Sequence, residues 1–103
     1  MEKRTAHYSL ALIKKMIEEG HYDITLSARS TAAADFAFKT EEITSTIQSL
    51  THHSFYKSMT THHNHRLWQD VYKPQIRGNT AYIKLQIANE STVIISFKRG
   101  SEP

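Results

Sequence analysis

Lysine, tyrosine and glutamine recur in the second half of the chain where they could be gathered to one place: Tyr56 and Lys57 in FYKSMTT, Gln69 in LWQDVY, Tyr82 and Lys84 in AYIK, and Lys98 in SFKR. Lysine offers phosphate a point charge, tyrosine a stacking face or a mobile proton, and glutamine an orienting amide. A concave face collecting Lys57, Gln69, Tyr82, Lys84 and Lys98 could hold a phosphodiester and stabilise charge developing on it. The same residues also describe a solvated sheet face with snorkelling lysines, because their spacing is not diagnostic. The histidines are a second candidate: His52 and His53, then His62, His63 and His65 around a polar HHNH. No HExxH is present, and Asp70 is the one carboxylate near in sequence, so the cluster lacks a metal signature and reads as a polar loop. Its imidazoles could still serve acid and base chemistry near neutral pH.

Composition narrows the choices. With no cysteine among 103 residues there is no disulfide framework, thiolate metal site or thiol nucleophile. The net charge is +3, but its distribution says more. Residues 1 to 50 carry six lysines and arginines against seven acids; residues 51 to 103 carry seven against three. The basic half also holds five of the seven histidines and three of the five tyrosines. Such asymmetry points to an anionic partner, with RNA or DNA favoured by the aromatic faces. A merely solubilising basic face is the plainer reading. No apolar run reaches the roughly 20 residues of a membrane span, and the N-terminus lacks a signal-peptide core, so a cytoplasmic protein is expected.

The elements that must position these residues fall in two groups. Leu10, Leu12, Ile13, Met16 and Ile17 recur at helical spacing, and Gly20 follows as a stop. A second, alanine-rich helix is expected after a Thr25 cap, running through Ala34. A third fits TEEITSTIQSL, with Thr40 as cap, Glu41 and Glu42 at the positive end, and Ile43, Ile47 and Leu50 on one face. After residue 51 the period becomes two. AYIKLQIA sends Ala81, Ile83, Leu85 and Ile87 to one side and Tyr82, Lys84 and Gln86 to the other. STVIISFK follows across an Asn89-Glu90 hairpin turn. SFYKSMTT and RLWQDVYK complete at least four strands, and RGSEP reads as a frayed end. The expected fold is α+β, with N-terminal helices on a C-terminal antiparallel sheet in one domain spanning residues 1-103. Within it Tyr56 and Lys57 are consecutive, so both can serve one face only if a bulge or strand end intervenes.

FYKSMTT at 55 to 61, WQDVYKP at 68 to 74 and VIISFK at 93 to 98 resemble the MqsR family of motility quorum-sensing regulators, as does the opening MEKRTAH with LIKKMIEEG. The resemblance covers most of the chain; HYDITLSARSTAAADFAF and IANEST match loosely. It implies a RelE-like ribonuclease, the toxin of a type II toxin–antitoxin pair. Such a toxin cleaves mRNA without the ribosome, preferentially at GCU, and is neutralised by MqsA, a zinc-containing, DNA-binding antitoxin. By motif it implies Lys57 and Gln69 as leading active-site groups, with Tyr56 and Met59 beside them and Tyr82 and Lys98 completing the set. Met59 could equally be core filler. Lys73 stands where the family has arginine, and lysine cannot grip phosphate bidentately. Lys73 and Arg66 are expected to hold the RNA backbone, with Lys84 on the same face.

The chemistry this implies needs no metal and no cofactor: the ribose 2′-hydroxyl attacks the adjacent phosphate, leaving a 2′,3′-cyclic phosphate and a 5′-hydroxyl. Lysine, with a pKa of about 10.4, is a poor base at neutral pH, so Lys57 and Lys98 are assigned to electrostatics, Tyr82 or a lysine handles a proton, and the base stays open. Two other classes fit the residues: a non-catalytic RNA- or DNA-binding module, and a small subunit whose surface serves mainly a protein partner.

Overall fold

A computed structural model describes residues 1–100. Among these lie three helices and seven strands. Helix α1 (Leu10–Glu18) begins where the Ser9 hydroxyl accepts from Leu12 N at 3.1 Å, buries Ile13 and Ile17, and ends at Gly20, whose φ of 82° is one that glycine adopts without strain. Helix α2 (Leu26–Phe36) is capped by Thr25, which accepts from Ala28 N and donates to Ile95 O at 2.9 Å, tying the helix start to the sheet. Helix α3 (Thr40–Gln48) starts one residue earlier than expected. Lys39 holds the cap position and its N–H donates to the Glu42 carboxylate at 2.7 Å, while the Thr40 hydroxyl accepts from Arg29. Ile43, Ile47 and Leu50 are buried as their spacing requires.

Four strands match the sequence reading: β3 (Phe55–Thr60), β4 (Trp68–Tyr72), β6 (Asn79–Ala88) and β7 (Ser91–Arg99). Three more, β1 (Glu2–Lys3), β2 (Tyr22–Ile24) and β5 (Gln75–Ile76), are too short to show a period. The order across the sheet is β1-β3-β4-β6-β7-β2, with β5 beside β6. All pairings are antiparallel except β2 with β7. The expected Asn89-Glu90 turn forms with positive φ at both residues, as does a second at Arg77-Gly78. Of RGSEP, expected as a frayed end, Arg99 instead lies in β7 and Gly100 N donates to Thr80 O at 2.7 Å. Residues 101–103 lie outside the described residues.

The helices cover one face of the sheet. Tyr72, Ala81, Ile83, Leu85, Ile94 and Phe97 meet Ile13, Ala28, Ala32, Phe36, Ile43 and Ile47 there. Alanines on α2 let its backbone come close to β7, so a weakly amphipathic helix still buries its face. Alternation along the strands sends the intervening residues to the face without helices.

Candidate active site

Strand register assembles the uncovered face in rows, because directly opposed residues on antiparallel strands share a side. Lys57 opposes Val71, which opposes Lys84, which opposes Ser96. On one flank of this row Met59 opposes Gln69; on the other Tyr82 opposes Lys98. Val71 at the centre is wholly buried although no helix covers it, and the aliphatic stems of the lysines on either side account for this. Lysines laid over an apolar floor present their ammonium groups on the same side of the sheet.

A bulge solves the problem of consecutive Tyr56 and Lys57. Phe55 opposes Tyr72 and Lys57 opposes Val71, so one extra residue, Tyr56, is accommodated between them. Lys57 Nζ lies 5.4 Å from the Tyr56 ring centroid and Lys73 Nζ lies 4.2 Å from it. Tyr82 is likewise approached by two lysines, with Lys98 Nζ at 5.3 Å and Lys84 Nζ at 5.8 Å. Each tyrosine is a π face between ammonium groups, which holds the cations without neutralising them. Lys84 is eased below the ordinary lysine range by burial, and then by the charges of Lys98 and Lys57. Burial moves the Tyr82 phenol up, with Lys57 opposing.

Lys57 differs from the other lysines. Its Nζ donates to Glu2 Oε2 at 2.5 Å, and this hydrogen bond is the main cause of a raised Lys57 pKa and a lowered Glu2 pKa. Glu2 reaches the face because β1 pairs with β3 and sets Glu2 opposite Met59. The Lys57 side chain is 19% exposed and that of Glu2 55%. Gln69 is also held: its Nε2 donates to Gln86 Oε1 at 3.0 Å. Gln86 was legible as the next residue after Tyr82 and Lys84 in the alternation, whereas nothing in the sequence marked Glu2.

The structure therefore brings Tyr56, Lys57, Met59, Gln69, Lys73, Tyr82, Lys84 and Lys98 to one region. Met59 is not core filler, since it opposes Gln69 and Glu2 on the side away from the helices. Arg66 is not brought in with them. It sits in the exposed loop before β4, while Lys73 follows its other end, and the strand between is about 13 Å long. His62, His63 and His65 are exposed in the same loop, and no three metal-ligating side chains converge among the described residues.

Asp70, the one acid of the 55 to 74 stretch, faces the other way. Wholly buried, it accepts from Tyr8 N at 2.9 Å, from His7 N at 3.1 Å and from Ser58 Oγ at 2.5 Å. It clamps the segment between β1 and α1 to the middle of the sheet, and so fixes the strand that carries Glu2.

Helices on one side and an uncovered face of lysine, tyrosine and glutamine on the other define a small α+β protein shaped to meet a polyanion. The chain matches, over residues 5–99, the family described as the motility quorum-sensing regulator, toxin of MqsA. It is 37% identical over 98 residues to the mRNA interferase toxin MqsR of Escherichia coli (strain K12), covering 95% of this chain and 98% of that protein. The chain belongs to the MqsR toxin family.

Proposed function

We propose that this toxin cleaves mRNA at GCU-like sites, independently of the ribosome and without a metal, by attack of a ribose 2′-hydroxyl on the adjacent phosphate. That it is an endoribonuclease rests on its 37% identity to an mRNA interferase over nearly the whole chain. The observation that carries the mechanism is the row of Lys57, Val71 and Lys84 flanked by Tyr82 and Lys98. Three lysines on one face of the sheet can stabilise the additional negative charge of the crowded phosphorus transition state. Lys57 and Lys98 supply that charge, Tyr82 and Lys84 stand where a proton must move, and Gln69, fixed by Gln86, orients the phosphate or ribose. Tyr56, with Lys73 4.2 Å from its ring, offers a stacking face to a flanking base, and Met59, opposite Gln69 and Glu2, lines the same face farther along β3. Arg66 contacts the backbone farther along, so the RNA runs the length of β4.

Neutralisation falls to an MqsA-like, zinc-containing antitoxin, and the whole chain acts as one toxin domain. No helix among the described residues is long and apolar enough to cross a membrane.

The test is incubation of purified protein with a defined GCU-containing RNA, with and without EDTA, mapping every product end. Cleavage that survives EDTA and leaves 2′,3′-cyclic phosphate and 5′-hydroxyl ends is expected. Wild-type cleavage by both Lys57→Ala and Lys98→Ala would refute the assignment of charge stabilisation to these lysines, and binding without cleavage would make the chain a non-catalytic RNA-binding module.

A further inference from the structure

We propose that Glu2, carried to the face by the N-terminal strand, is the general base that takes the proton from the attacking 2′-hydroxyl. The inference rests on the ribonuclease reading and supplies the group that reading lacks. The face is otherwise made of groups unable to accept a proton at neutral pH. Lys57 is held protonated by its partner, Tyr82 keeps its phenol proton more tightly than a free tyrosine, and Gln69 and Gln86 have no basic atom. The loop histidines are exposed beyond the far end of β4. Asp70 lies on the helix side, consumed by two backbone amides and a hydroxyl. Glu2 is the one carboxylate paired with a lysine of this face among the described residues.

Its position also fits the task. A carboxylate 2.5 Å from Lys57 Nζ stands beside whatever that ammonium binds, and the 2′-oxygen is the neighbour of the scissile phosphate. When phosphate takes over the Lys57 ammonium, Glu2 is released at hydrogen-bond reach of the hydroxyl, the separation that general-base catalysis needs. The strand is fixed on both sides: Thr60 N donates to Met1 O at 3.0 Å, and Asp70 grips His7 and Tyr8. In the reaction Glu2 takes the 2′-oxygen's proton as the O2′–P bond forms. The P–O5′ bond breaks, and the departing 5′-oxygen takes a proton from the Lys84 ammonium, the lysine whose burial and cationic neighbours make release easiest. Solvent then exchanges both protons, so acid and base return to their starting states.

Glu2→Gln keeps the shape of the side chain, and its exposed position leaves the core untouched. Cleavage of a GCU-containing RNA by this variant under single-turnover conditions should fall by about 10²- to 10⁴-fold. Affinity for the same RNA carrying a 2′-deoxyribose at the cleavage site, which cannot react, should hold or rise severalfold as the Lys57 ammonium is freed, and should not fall, since general-base catalysis acts on the chemical step. The acidic limb of the wild-type pH–rate profile should vanish with it, and Glu2→Asp should restore part of the rate. A fall in cleavage by Glu2→Gln of less than about 10²-fold, the low end of a general base's contribution, would overturn the proposal. Tighter binding with faster cleavage would overturn it too, marking Glu2 as a plug that competes with phosphate for Lys57. Wild-type protein that leaves the RNA intact in the parallel reaction would instead remove the ribonuclease reading, and the role of Glu2 with it.

Discussion

Replacing Asp70 with asparagine tests whether a buried acid on one face of the sheet controls the geometry of the other. The Asp70 carboxylate accepts from His7 N, Tyr8 N and Ser58 Oγ and is wholly buried. Asparagine can keep its oxygen toward the two amides and turn its amino group toward Ser58, whose proton then points to Gln69 O at 3.3 Å. Most contacts survive and the charge assistance is lost. Hydrogen bonds to charged groups contribute about 1.5–3 kcal/mol each against about 1 for neutral ones, while an amide is cheaper to bury than a carboxylate. A net loss of about 2 kcal/mol follows, which at a urea m value of about 1.2 kcal/mol per molar moves the midpoint down by roughly 1.5 M. Urea unfolding followed by Trp68 fluorescence measures this. Hydrogen exchange at the His7 and Tyr8 amides locates it, since both should exchange faster well below the midpoint. RNA cleavage should fall as well, because the strand carrying Glu2 loses its anchor. A midpoint within 0.3 M of wild type (about 0.4 kcal/mol at that m value), with unchanged exchange at those two amides, would refute the clamp.

The Tyr72 phenol, 1% exposed, is pushed up to about 12 from 10.0 by burial and then by the charge of Asp70. The folded state thus holds this proton more tightly than the unfolded chain, so the stabilisation is intact below pH 10 and lost between pH 10 and 12, about 2–3 kcal/mol in all. Tyr72→Phe should flatten that alkaline loss in urea titrations at stepped pH. Binding of the unreactive 2′-deoxy RNA should weaken steeply with salt, with a log–log slope of about −3.5 if Lys57, Lys73, Lys84, Lys98 and Arg66 all meet phosphates, and Lys73→Ala should reduce it by about 0.7. Lys73→Arg should tighten binding several-fold, since a guanidinium both stacks on Tyr56 and grips phosphate with two donors. Glu90, at φ 61° in the β6–β7 turn, sits where glycine is favoured, so Glu90→Gly should raise thermal stability by about 1 kcal/mol without changing cleavage.

What the sequence made legible was whatever repeats at a period. Alternation in AYIKLQIA fixed the sides of Tyr82, Lys84 and Gln86, and consecutive Tyr56 and Lys57 required a bulge or a strand end if both were to serve one face, of which the sheet contains the bulge. Helical spacing likewise gave α1 and α3 their buried faces. What escaped has no period. A two-residue strand such as β1 exists because β3 offers an open edge and Asp70 holds the segment behind it, and both causes lie more than 50 residues away in the chain. Cap position at α3 was set by Arg29 drawing off the Thr40 hydroxyl, another contact that local propensity cannot register. Met59 was ambiguous for the same reason: its side chain suits a core as well as a site, and only register with Gln69 decides.

The sheet order has a consequence in time. Residues facing the proposed reaction centre come from Glu2 on β1 through to Lys98 on β7, with Lys57, Gln69 and Tyr82 between. Contacts that span nearly the whole chain form late in folding, because loop closure must precede them. A growing polypeptide that has not yet delivered Lys98 lacks one wall of the centre, however much has collapsed behind it. Synthesis and toxicity are thereby separated by an interval that belongs to the topology itself, in which a partner made alongside has its first opportunity to intervene.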